Sequence, residues 1–157
     1  MTREEFVVAA LKAAQEAQKD GAPIHPGIAA AQAALESAWG KSRLAVQGNN
    51  LFGIKAGKSW TGKRVTFTTR EFDETRGWYT IVADFRAYAS WADCFRDYGS
   101  IIGRLPWYAD AAAAAKKNDA RGFLDGLVSR PGEPGWATDP DYAKNVWMIA
   151  KQQGLVA

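Results

Sequence analysis

One histidine and one cysteine occur among 157 residues, and that scarcity removes whole classes of chemistry. A Ser-His-Asp or Cys-His apparatus has only His25 to draw on, and His25 directly precedes Pro26 at an expected helix start. No His and Cys residues cluster at metal-ligand spacing, so no metal site is expected. A lone cysteine forms no internal disulfide. Cys94 instead falls in step with Trp91, Phe95 and Tyr98, the position of a buried thiol. No apolar run is long enough to span a membrane, so stable membrane insertion is not expected. The stretch Gly53-Ile54-Lys55-Ala56-Gly57-Lys58-Ser59 lacks the glycine spacing of a phosphate loop, and no cofactor is expected. The opening residues Met1-Thr2-Arg3-Glu4-Glu5-Phe6 are too acidic and polar for a secretory signal.

What is present fits one globular domain over residues 1–157. Hydrophobic residues make up 47% of the chain, enough for a substantial core. Thr2 with Glu5 forms a capping box, and Phe6, Val7, Ala10, Leu11, Ala14 and Ala17 mark an amphipathic helix ending before Gly21. Pro26 suits the first turn of a second helix, whose spacing runs through Ile28, Gln32 and Leu35 to Trp39, with Gly40 as its stop. From Arg64 to Tyr88 the period changes to two, and Asp73–Gly77 reads as the turn of a β-hairpin. Ser90 starts the next helix, Ala109–Lys117 is alanine-rich, and Asp119 caps another helix. Arg130-Pro131-Gly132-Glu133-Pro134-Gly135 is a loop, and Asp139-Pro140 opens a last helix.

Glu36 stands out chemically. It is an acid among small and apolar residues near the end of the second helix, beside the apolar stripe. Apolar neighbours and the negative end of the helix dipole both disfavour its ionised form. A raised pKa is what a general acid needs to protonate a leaving-group oxygen near neutral pH. The alternative is a solvated helical glutamate. Gln32, one turn earlier on the same side, can share a polar edge with it.

Ala34-Leu35-Glu36-Ser37, followed by Gly48-Asn49-Asn50-Leu51-Phe52-Gly53-Ile54-Lys55, resembles the peptidoglycan N-acetylglucosaminidases of glycoside hydrolase family 73. That family includes flagellar rod-associated wall hydrolases and autolysins. Thr68-Thr69-Arg70-Glu71-Phe72, Asp84-Phe85-Arg86-Ala87-Tyr88 and Gly135-Trp136-Ala137-Thr138-Asp139-Pro140-Asp141-Tyr142 continue the resemblance in family order. It covers most of the chain, from about Ala29 to about Ile149. The resemblance implies a mainly helical α+β, lysozyme-like fold, with a helical lobe and a small β-hairpin lobe flanking a cleft. It implies cleavage of the β-1,4 bond between N-acetylglucosamine and N-acetylmuramic acid, with Glu36 catalytic.

Glu71 is the candidate second catalytic carboxylate, at the hairpin end on the face of Val65, Phe67 and Thr69. Asp73 and Glu74 are nearby alternatives. A substrate acetamido group can also replace the second carboxylate, so one acid is chemically sufficient. Candidate substrate-binding residues are Asn50, Phe52, Tyr88, Trp136 and Tyr142, with Tyr142 lining the cleft as the resemblance implies. Each has a structural alternative: Asn50 in its own turn, the aromatics in the core. Competing readings are a muramidase or lytic transglycosylase on the same glycan, and a non-catalytic glycan-binding or assembly module. The expected partner is the peptidoglycan glycan strand, met by a monomer. The net charge of +3 suits an anionic envelope and is too small for nucleic acid, which is not expected as a partner. A wall enzyme whose opening residues carry no export signal reads as a phage endolysin, with a fragment of a longer secreted enzyme as the alternative. The endolysin is held in the host cytoplasm until the membrane is permeabilised, and then acts in the periplasm on the wall.

Overall fold

A computed structural model describes residues 1–128, 132–137 and 139–157, with Thr69 described by its backbone alone. Arg130, Pro131 and Thr138, which the sequence assigns to a loop and a motif, lie outside the described residues.

The helical body begins with α1 (Arg3–Lys19), started by the expected capping box. The Glu5 amide donates to Thr2 Oγ1 at 3.1 Å and the Thr2 amide to Glu5 Oε2 at 3.0 Å. Helix α2 (Pro26–Glu36) follows. Its residues from Pro26 to Ala34 are all buried, the mark of a helix enclosed on every side. It packs against α1, against α6 (Ala120–Leu127) and against α7 (Tyr142–Gln152). Alanine at five of its eleven positions lets these neighbours approach closely. The N-cap is His25, whose Nδ1 accepts from the Ile28 amide at 3.2 Å. The single histidine is thus a structural cap, and burial lowers its pKa.

Helix α2 ends at Glu36, short of the Gly40 stop that its pattern predicts. Ala38, Trp39 and Gly40 are three consecutive residues at φ 50°, 58° and 79°, a left-handed turn that no helix can continue through. Ser37 organises it. Its hydroxyl donates to the Ala33 carbonyl at 2.6 Å and accepts from the Gly40 amide at 2.8 Å. The Trp39 ring meets Phe6 of α1 edge-on at 6.2 Å, and the Arg3 guanidinium covers it at 4.6 Å. At Gly40 a Cβ would come within 3.0 Å of the Phe6 ring. A short α3 (Arg43–Gly48), capped by Ser42, follows directly.

The β-lobe is the expected hairpin. β1 (Arg64–Asp73) pairs antiparallel with β2 (Gly77–Arg86), in a register that sets Glu71 opposite Tyr79. Lys55 adds one isolated bridge to Phe85. The chain then returns through α4 (Trp91–Arg104), a short 3-10 turn over Pro106–Tyr108, and α5 (Ala109–Lys116), which packs on α6. The last helix starts at Tyr142, two residues beyond the expected proline. The core runs through Phe6, Ile28, Phe95, Tyr98, Leu124 and Val146. No described helix is long and apolar enough to cross a membrane. The result is a mainly helical α+β fold with a helical body and a small β-lobe.

Candidate active site

Glu36 is the last residue of α2, where the buried helix reaches the surface. It is exposed on one side, while the protein packed on the other raises its pKa by desolvation. Tyr142, the first residue of α7, counters part of that rise through its nearby hydroxyl. The Tyr142 side chain is buried, and its own pKa is pushed up, first by desolvation and then by the nearby Glu36 charge.

Behind these two lies a buried polar pair. Gln32 is fully buried one helical turn before Glu36, and Tyr98 of α4 donates its hydroxyl to Gln32 Oε1. Sequence reasoning placed Gln32 beside Glu36 but left Tyr98 among the apolar residues of its helix. The only signal for this pair was a glutamine inside an otherwise apolar helix.

The remaining candidates occupy different places. Phe52 is 4% exposed and stacks on Tyr98, centroids 4.1 Å apart and rings 6° from parallel. Trp136 is half-buried and meets Phe52 edge-on at 5.9 Å and Tyr98 at 5.1 Å. The two rings therefore form an aromatic wall against the tyrosine that holds Gln32. Asn50 is buried within its loop. Its Nδ2 donates to the Ile54 and Arg86 carbonyls, both at 2.9 Å, and its Oδ1 accepts from the Phe52 and Ile54 amides. Tyr88 sits at the base of the hairpin. Its hydroxyl donates to Asp97 Oδ2 at 2.5 Å, beside the Arg86–Asp97 ion pair at 2.9 Å.

Glu71 is exposed near the hairpin tip, on the strand face it shares with Val65 and Phe67. The site thus brings together Glu36, Gln32, Tyr98, Tyr142, Phe52 and Trp136. Asn50 and Tyr88 hold the loop and the hairpin base. Among the described residues no group of three or more His, Cys, Asp or Glu side chains is arranged to hold a metal ion.

A carboxylic acid of raised pKa at the end of a buried helix, in an α+β fold with a hairpin lobe, is the setting a general acid needs. The chain belongs to the glucosaminidase family, described as mannosyl-glycoprotein endo-beta-N-acetylglucosaminidase, whose profile matches residues 11–155. The peptidoglycan hydrolase FlgJ of Vibrio parahaemolyticus is 35% identical over 132 residues, 82% of this chain and 41% of that protein. The exo-glucosaminidase LytG of Bacillus subtilis is 35% identical over 135 residues, 83% of this chain and 44% of that protein. The chain spans less than half the length of these curated relatives. Among solved structures, the catalytic domain of the autolysin Auto from Listeria monocytogenes superposes with a TM-score of 0.79. That match has 29% identity and covers 99% of this chain and 86% of the other.

Proposed function

We propose that this chain is a peptidoglycan hydrolase that cleaves the β-1,4 bond between N-acetylglucosamine and N-acetylmuramic acid as an endo-β-N-acetylglucosaminidase. The observation that carries the reading is the setting of Glu36, an acid of raised pKa at the end of a buried helix with the Tyr142 side chain beside it. Family membership and the names of the relatives support the glycan class.

Protonated Glu36 delivers its proton to the glycosidic oxygen as the bond to the anomeric carbon breaks. The carboxylate left behind is stabilised by the Tyr142 hydroxyl and by the solvent on its open side. Either water or the substrate's 2-acetamido oxygen then attacks the anomeric carbon. Because the Glu36 pKa is raised, its acid form persists above the usual carboxylate range. Activity therefore falls as pH rises through that raised value.

The test is digestion of purified peptidoglycan by the wild type and by Glu36→Gln, with product mass spectrometry and circular dichroism. The wild type should release reducing-end N-acetylglucosamine, and the folded variant should release essentially none. Reducing-end N-acetylmuramic acid or its 1,6-anhydro form would identify a muramidase or a transglycosylase instead. A folded wild type with no product would support a glycan-binding module.

The setting we propose is host lysis by a phage endolysin, with the small positive charge favouring approach to an anionic wall. Cells expressing the chain should stay intact until the inner membrane is permeabilised. Lysis without permeabilisation points instead to an autolysin or flagellar enzyme with the same Glu36 chemistry.

A further inference from the structure

Gln32 is an unusual choice for its position. It is fully buried in an alanine-rich helix, where an amide is costly unless its hydrogen bonds are met. The Tyr98 hydroxyl meets one of them by donating to Oε1, which fixes the orientation of the amide. The opposite end, Nε2, is buried without a partner among the described residues, and so is the Tyr142 hydroxyl on the helix packed alongside. These two atoms are chemically complementary. An amide N–H only donates, whereas a hydroxyl can accept from it and still donate onward.

We propose that Gln32 is a positioning residue: its amide, locked by Tyr98, holds the Tyr142 hydroxyl in line with the Glu36 carboxylate. The order is directional. Tyr98 donates to Gln32, Gln32 donates to Tyr142, and Tyr142 donates to Glu36. Neither Gln32 Nε2 nor the Tyr142 hydroxyl has another hydrogen-bond partner among the described residues, so each is available to the other. Their electrostatic signs agree with the order, since Gln32 favours the Tyr142 phenolate while Glu36 opposes it. Among the described residues, the ionisable groups acting on Tyr142 are Glu36 and Tyr98, with Tyr108 acting on Tyr98. The inference rests on Glu36 being the acid.

The experiment is the pH profile of kcat and kcat/KM on peptidoglycan for four proteins: wild type, Tyr142→Phe, Gln32→Met and the double variant. The Tyr142 hydroxyl lowers the Glu36 pKa, so its loss should move the basic limb to higher pH. Gln32→Met should move the limb in the same direction and lower kcat by about tenfold. The double variant should move it no further than Tyr142→Phe does. Gln32→Met leaves the Tyr98 hydroxyl orphaned, so Gln32→Met/Tyr98→Phe, which removes both polar partners, guards against simple unfolding. A folded Gln32 variant with the wild-type limb and kcat overturns the proposal, and so does a Tyr142→Phe limb that does not move. Neither result touches the Glu36 reading, which instead fails if Glu36→Gln keeps its activity.

Discussion

Asn50 commits both ends of its amide to the loop that carries it. Four backbone groups depend on this side chain: two carbonyls and two amides, spread over the loop and the hairpin base. Asn50→Ala should therefore destabilise the protein by about 3 kcal/mol, because buried groups lose their partners. Thermal melting should register this as a drop of roughly 6–12 °C. A drop under about 2 °C would show that water or a neighbour replaces the amide. The role of such a residue is hard to read in a sequence. An asparagine before a glycine-containing loop serves a turn or a ligand equally well, and only the burial of both amide ends separates the two. Glu36 is the opposite case. An isolated acid at the end of an apolar helix is legible, because few structural needs explain it. Its tyrosine partner is legible through the family resemblance alone, since α7 reaches Glu36 from 106 residues further along the chain.

At the scale of elements, starts were easier to read than ends. Thr2, Pro26, Ser90 and Asp119 each mark a helix start by a specific bond or a missing one. The end of α2 was hidden, because Trp39 continues the apolar spacing while its backbone turns left-handed. Nothing in a hydrophobic pattern reports that conformation in an alanine and a tryptophan. The hairpin was legible in both strands and turn. Asp73 Oδ1 already accepts from the Thr75 and Arg76 amides, at 2.7 Å and 3.2 Å, so it serves the turn. Glu71 precedes the turn, on the strand face of Val65 and Phe67. If Glu71 is a base or nucleophile, Glu71→Gln should lower turnover by roughly 10²-fold, and Glu74→Gln much less. Turbidity loss measured for both under identical conditions decides it, and a cost below about threefold at Glu71 favours acetamido assistance.

Across the whole molecule, the two lobes are joined very unevenly. The base of the hairpin is fastened through Asn49, Asn50, Arg86, Tyr88 and Asp97, while the strand ends carry exposed Phe72 and Trp78. Among the described residues the lobe is thus anchored at its base, a geometry that follows from pairing across the chain and not from local pattern. Cys94 lies directly beneath that anchorage, buried in α4, where the Leu51 amide points at its sulfur from 3.5 Å. Burial pushes its thiol up to about 12, so in the closed protein it is both shielded and unreactive. Every encounter between this sulfur and an alkylating reagent must therefore wait for the seam between loop and helix to part. With one cysteine in the chain, the native protein carries its own single-site clock for that opening, and the labelling rate reads it without an engineered probe.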